Sequence, residues 1–239
     1  MNLFALDASG KSCSVAIIKD KDIIFESVLN VGLTHSGTLL VQVDNAFTGT
    51  MLTPNDIDFY AVTVGPGSFT GLRIGIATIK GLAFMGKARC IEVSTLEALS
   101  YGVTIPDTVI VPVIDARRNR VYTTIYNQKG SGELIKIAED SIVDIEDLPN
   151  MLSDIKEKII FVGDAANICY EYTKDKILSL VTPMVDGYIK GGAVAKVALK
   201  KLKSDETVSA AELIPVYMQL SQAERERIKE TERYDSTNQ

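Results

Sequence analysis

The sequence predicts an α/β protein of two related halves, each a mixed sheet with helices, on three observations. Short apolar runs rich in β-branched residues alternate with stretches of helical period. An opening pattern of strand, Asp, polar turn and returning strand occurs at residues 3–18 and again at residues 109–126, the self-similarity that duplicated folds leave behind. The 239 residues are 46% hydrophobic yet include no Trp. The interior must then be filled by Val, Ile, Leu and Ala, which suits sheets covered by helices.

In the first half, residues 3–6 are an apolar run ending at Asp7. Ala8-Ser9-Gly10-Lys11-Ser12 has turn chemistry, and runs at 13–18 and 23–28 complete three strands joined by tight turns. Residues 34–49 set Leu39, Leu40, Val43, Ala46 and Phe47 at a spacing near 3.6, which predicts a helix. Thr53, Pro54 and Asp56 read as a cap with a single turn. Residues 59–64 form a strand that runs into Gly65-Pro66-Gly67-Ser68, a sharp turn into a helix over 71–86 with Ser68 or Thr70 as its cap. That turn lacks the Gly-Lys-Ser/Thr ending of a P-loop. The strand at 90–93 leads into Ser94-Thr95-Leu96-Glu97, a capping box that starts another helix.

Pro106-Asp107 marks the midpoint. Residues 109–114 are a strand ending at Asp115, Ala116 to Arg120 is a polar turn, and 121–126 is the returning strand. A strand at 159–162 is followed by Gly163-Asp164-Ala165-Ala166. A helix over 192–202 turns Val194, Val197, Ala198 and Leu202 inward, and 213–218 reads as extended. The expected division is a first subdomain over 1–102, a second over 103–220 whose helix at 192–203 packs back on the first, and a charged tail over 221–239 that frays or is disordered.

The formal charge of −6 argues against a chain whose main task is gripping a phosphate backbone. Arg117, Arg118 and Arg120 are a local basic exception, read either as a contact to RNA or acidic partners or as a solvated turn. Cys13, Cys90 and Cys169 lie far apart and form no C-x-x-C pair, which signals neither a zinc site nor disulfides and fits a reducing compartment. No basic start precedes a long apolar run and no stretch approaches the ~20 apolar residues of a membrane span, so a cytoplasmic protein without a membrane association is expected.

The two Asp-tipped hairpins resemble the phosphate loops of the actin-like ATPase superfamily, which implies two actin-like (ribonuclease H-like) subdomains. A closer resemblance rests on Val64-Gly65-Pro66-Gly67-Ser68-Phe69-Thr70-Gly71-Leu72-Arg73-Ile74-Gly75, on Val93-Ser94-Thr95-Leu96-Glu97 and on Ile114-Asp115-Ala116-Arg117. Pro215-Val216-Tyr217-Met218 and Ser221-Gln222-Ala223-Glu224-Arg225 extend it, so that it spans nearly the whole chain in order. These segments are similar to the bacterial TsaB (YeaZ) family. The resemblance implies a non-catalytic scaffold and activator that pairs with the larger transferase TsaD, with the ATPase TsaE joining. That machinery transfers threonylcarbamoyl to the adenosine beside the tRNA anticodon. It further implies tRNA contact only through the complex and no cofactor of its own, with ATP and Mg²⁺ at most weakly held, while an exposed apolar helix pair predicts a homodimer when the chain is alone.

TsaD carries two metal-binding histidines at i and i+4 on one helix face. The matching helix here holds His35 but Leu39, and His35 is the only histidine in the chain, so no metal site is expected. The helix over 71–86 is interrupted only by Arg73, Thr78 and Lys80; a helix apolar all round must be buried all round, by its own sheet and by a second helix. The expected partner face is therefore His35, Leu39, Leu40, Val43 and Phe47 with Leu72, Ile76, Ile79 and Ala83. The alternative is that both helices are ordinary core. Asp7, Ser9, Asp115, Gly163 and Asp164 are the candidate nucleotide-facing residues, with hairpin capping as the alternative role of both aspartates. Competing functions are a small kinase or ATPase of the same fold and a glycoprotease-like peptidase.

Overall fold

The computed structural model describes residues 1–31, 35–86, 88–130, 132–177, 179–181 and 187–219. The first half holds β1 (Asn2–Asp7), β2 (Cys13–Lys19), β3 (Asp22–Leu29), α1 (His35–Thr50), β4 (Phe59–Gly65), α2 (Phe69–Gly86), β5 (Arg89–Ser94) and α3 (Thr95–Tyr101). The second holds β6 (Thr108–Arg117), β7 (Arg120–Gln128), β8 (Leu134–Asp144), α4 (Leu148–Leu152), β9 (Ile159–Val162), α5 (Ala166–Thr173), β10 (Ser179–Val181) and α6 (Gly191–Leu202).

The repeat seen in the sequence is a repeat of topology. One sheet runs β3-β2-β1-β4-β5 and the other β10-β9-β6-β7-β8. In each, three antiparallel strands come first and two parallel strands follow on the far side of the first. The chain is an α/β protein of two mixed sheets with helices. The sequence reading missed β8, β10, α4 and α5. β8 is an edge strand, half-exposed and interrupted by Lys136, Glu139 and Asp140, so its apolar period is broken. α4 and α5 span only 5 and 8 residues, too short to show a period.

Strand alternation decides what each sheet face buries. Phe4, Leu6, Val15, Ile17, Tyr60 and Val62 point to the side covered by α1 and α2. Leu3, Ala5, Ala16, Ile18, Ala61 and Ile91 point to the other side, where α3 and α6 lie. That second layer also holds Ile110, Tyr126 and Ile160 of the other sheet, so α3 and α6 sit in one core shared by both halves. α6 belongs to the second half by sequence, yet it packs on β1, β2 and β5. Val194, Val197 and Ala198 are each 0% exposed there, and each buried Val is worth about 1.5–3 kcal/mol of apolar transfer. A third core, with Val111, Val121 and Phe161, lies under α4 and α5.

Local signals behave as their chemistry demands. Ser94 Oγ accepts from the Glu97 amide and caps α3 at 3.4 Å. Ser68 Oγ accepts from the Gly71 amide at 3.2 Å, which makes Ser68 the cap of α2 and starts that helix at Phe69, two residues before the position expected. Among the described residues no helix is long and apolar enough to cross a membrane.

Candidate functional cleft and partner face

The ends of β1 and β6 bring the two hairpin tips to one cleft of about 630 Å³, lined by Ser9, Lys11, Arg73, Asp115, Arg117 and Asp164. Asp7 is 1% exposed. Its Oδ1 accepts from Ser9 Oγ at 2.6 Å, the Ser9 amide at 3.1 Å and Thr63 Oγ1 at 2.6 Å. Asp7 therefore fastens its own turn to β4. In the second tip, Asp115 Oδ1 accepts from the Arg117 amide at 2.7 Å, and the Asp115 amide donates to Asp164 Oδ1 at 2.9 Å. Gly163 supports this junction with φ +120°, and a Cβ there would lie 2.2 Å from Val113 O. Of the five candidate nucleotide-facing residues, Ser9, Asp115 and Asp164 line this cleft, while Asp7 and Gly163 line a smaller cavity that also touches Ser9 and Asp164; both hairpin-tip aspartates, Asp7 and Asp115, are engaged in turn geometry.

The cleft chemistry suits an anion better than a metal. Lys11, Arg73 and Arg117 supply positive charge, and the 18-residue helix α2 starts at its wall. Among the described residues no group of three His, Cys, Asp or Glu is arranged to hold a metal ion. Thr95 is 1% exposed, its Oγ1 has no hydrogen-bond partner among the described residues, and it lines a 40 Å³ cavity with Asp7, Asp164 and Tyr188. That volume admits a water-sized polar group.

The partner-face residues need correction. Leu39, Val43, Leu72, Ile76, Ile79 and Ala83 are 0–6% exposed and face the chain's own first sheet. They hold α1 and α2 in place and are out of reach of another protein. Phe47 is half-buried and stacks on Phe4 with ring centroids 5.3 Å apart. Leu40 alone of the set is solvent-facing, at 62%. The His35 side chain lies outside the described residues, as does the tail over 221–239. α2 is also not buried all round. Arg73, Ala77, Gly81 and Phe84 form an outward stripe, and Phe84 is 87% exposed. On α1 the outward apolar residue beside Leu40 is Val41 at 55%, and Met51 follows the helix at 90%. Helical phase could have found these. Once Leu72, Ile76, Ile79 and Ala83 are taken inward, the stripe at 73, 77, 81 and 84 must point out.

A strap over residues 207–219 closes the first half's outer edge. Cys90 and Val208 exchange backbone hydrogen bonds of 2.8 Å each way on the free side of β5. Leu213 is 1% exposed in the core beneath α2. The Val216 amide donates to Val64 O at 2.7 Å. Gly65, at φ +137°, is required at that point, because a Cβ would sit 2.3 Å from Val216 O. Tyr217 stacks on Phe69 at 4.4 Å, and Arg73 Nε donates to its hydroxyl at 2.8 Å. Arg120 Nη2 of the second half reaches Gln219 Oε1 at 3.5 Å.

The thiols are not poised for chemistry. Burial pushes Cys13 up, Cys90 up to about 11 and Cys169 up to about 12. At pH 8 only about one Cys90 in a thousand is thiolate. Because these folded values lie above the unfolded thiol value near 8.5, the stability they carry is full below that pH. It is lost as pH rises toward 11–12, at about 1.4 kcal/mol per unit and group. Urea denaturation at pH 8 and pH 10 should show this drop, and a Cys90→Ala, Cys169→Ala double variant should show a smaller one. An equal drop in both proteins would contradict it.

Comparison with known proteins places this architecture. The family model of TsaD, tRNA N6-adenosine threonylcarbamoyltransferase, matches residues 30–227. The tRNA threonylcarbamoyladenosine biosynthesis protein TsaB of Bacillus subtilis (strain 168) is 28% identical over 233 residues, 96% of this chain and 99% of that protein. TsaB of Escherichia coli (strain K12) is 36% identical over 136 residues, 55% of this chain and 58% of that one. The solved structure of YeaZ from Pseudomonas aeruginosa has a TM-score of 0.74 at 23% identity, covering 91% of this chain and 99% of that one, and shows the shared fold. The duplicated sheets and the motif-bearing turn at Gly65–Ser68 therefore belong to a chain of the TsaD family, one similar along nearly its whole length to a TsaB protein and sharing the fold of YeaZ.

Proposed function

We propose that this chain serves tRNA threonylcarbamoyladenosine biosynthesis as a non-catalytic scaffold and activator, and that it acts by pairing with the transferase TsaD through the outward stripes of α1 and α2. The observation that carries this reading is the outward Phe84 on α2, Leu40 and Val41 on the adjacent α1 and Met51 just beyond α1, each more than half exposed. Exposed apolar side chains grouped on one face mark interaction surfaces, and burying each is worth about 1.5–3 kcal/mol. Together they offset the association cost of about 4–15 kcal/mol only if they act as a set. The non-catalytic part rests on residue chemistry. One histidine does not make a two-histidine metal site, and thiols held protonated by burial are poor nucleophiles, which speaks against the peptidase reading.

A nucleotide in the cleft would be met by Lys11, Arg73 and Arg117 at its phosphates and by the Gly163-Asp164 turn of the second half. Asp115 already pairs with Arg117 at 3.4 Å, so binding there is weak. TsaE joins only the assembled pair, and tRNA is engaged through the complex. A homodimer through the same stripes forms when TsaD is absent.

Depletion of the chain in its own cell should remove threonylcarbamoyladenosine from bulk tRNA, read by mass spectrometry of nucleosides. Full modification after depletion would end the proposal. The purified chain with ATP and tRNA should transfer nothing until TsaD is added.

A further inference from the structure

The strap over residues 207–219 closes the core, but its outward side chains are not what closure needs. Extended chain sends successive side chains to opposite sides. Leu213 goes inward at 1% exposure, and Ile214 and Val216 are left outward at 62% and 50%. An edge cover facing only water is normally polar or charged; here it presents Ile and Val.

Position explains the choice. α1 lies over β2 and β3, α2 over β4 and β1, and the strap over the free edge of β5. Across the sheet the covers therefore run α1, α2, strap. Lys80 Nζ donates to Ala211 O at 3.1 Å and Arg73 Nε to Tyr217 Oη at 2.8 Å. The stretch between 211 and 217 thus runs beside α2 for two helical turns, next to the stripe that ends in Phe84. We propose that Ile214 and Val216 form a third ridge of the partner face, so that a TsaD-like actin-fold subunit docks on α1, α2 and the strap together.

This rests on the reading that the outward helix stripes bind that subunit. Continuity with those stripes is what assigns the ridge to the same partner. The ridge is also preorganised. Its backbone is fixed by the Val216–Val64 hydrogen bond, the Gly65 contact and the Phe69–Tyr217 stack, so docking orders little new chain. An apolar ridge on a fixed segment adds contact without adding that cost.

The test uses the full chain and purified TsaD from the same cell, with affinity measured by calorimetry. Phe84→Asp examines the helix stripes; Ile214→Asp and Val216→Asp examine the ridge. All three positions are solvent-facing, and unchanged thermal unfolding of the free chain confirms intact folding. We expect each ridge variant to weaken binding by at least about tenfold, with the Ile214→Val variant near wild type. If Phe84→Asp weakens binding while both ridge variants stay within about twofold, the ridge is refuted and the helix reading stands. If none of the three weakens binding, both fall. Sedimentation of the free chain supplies a further arm. Ridge variants that abolish self-association but leave TsaD affinity intact would assign the ridge to a second copy and overturn the proposal.

Discussion

Replacing Gly65 by Val should lower stability by about 3 kcal/mol or more, seen as a large fall in the urea midpoint. Two terms add. The backbone at φ +137° is one that residues with a side chain rarely adopt, and any Cβ there enters backbone, 2.3 Å from Val216 O. Backbone does not rotate aside as a side chain would. The strap must lift, which breaks the Val216–Val64 hydrogen bond and pulls Leu213 from the core. Gly10→Ala is the matched control. Gly10 also lies in a turn, but nothing stands within 4 Å of its added Cβ, so a change within about 0.5 kcal/mol is expected. Equal losses for the two variants would show that the Val216 contact is not what demands glycine.

The second large effect is expected at Val194, which is 0% exposed in α6 between the two sheets. Val194→Asp places a carboxyl in the apolar core that α6 forms with β1, β2 and α3, a core continuous with Ile110 of the second sheet. Desolvation raises the folded pKa of such a group above its unfolded value near 3.9. The added penalty is then smallest below pH 4 and grows as pH rises, until the charged form is either expelled or unfolds the chain. A loss of more than about 4 kcal/mol at pH 7 follows, with part of it recovered at pH 4 relative to wild type at the same pH. Because this core is common to both halves, circular dichroism and tryptic digestion should report them failing together. Survival of one half as a protected fragment would show that α6 does not join them.

Much of this fold was legible in the residues. The two Asp-tipped hairpins, the strand-to-helix turn at Gly65–Ser68 and the long helices each rest on a local signal. Turn chemistry, glycine and a 3.6 period act over a few residues and need no tertiary context. β8 was not legible, because an edge strand is free to carry Lys136, Glu139 and Asp140 on its exposed positions. The partner face was misread for a different reason. A helix whose outward side after Arg73 holds Ala77, Gly81 and Phe84 reads as apolar almost everywhere, and composition alone does not say which stripe faces the sheet. Phase does: Leu72, Ile76, Ile79 and Ala83 fill one inward stripe, and the outward stripe runs Arg73, Ala77, Gly81 and Phe84. The repeat places Asp7 and Asp115 at equivalent tips of the two hairpins. Their hydrogen bonds to Ser9, Thr63 and Arg117 depend on three-dimensional neighbours that the chain order does not reveal.

The strap also ties completion of the first half to synthesis of the second. Cys90 leaves the ribosome 118 residues before Val208, its hydrogen-bonding partner, a wait of roughly 6–24 seconds at ordinary synthesis rates. During that interval the nascent amino-terminal half has an uncapped β5 border and a hollow where Leu213 will lodge, both attractive to other emerging polypeptides. A chaperone that shields this border, or slow decoding between Cys90 and Val208, would therefore govern how much of the newborn protein reaches its native state.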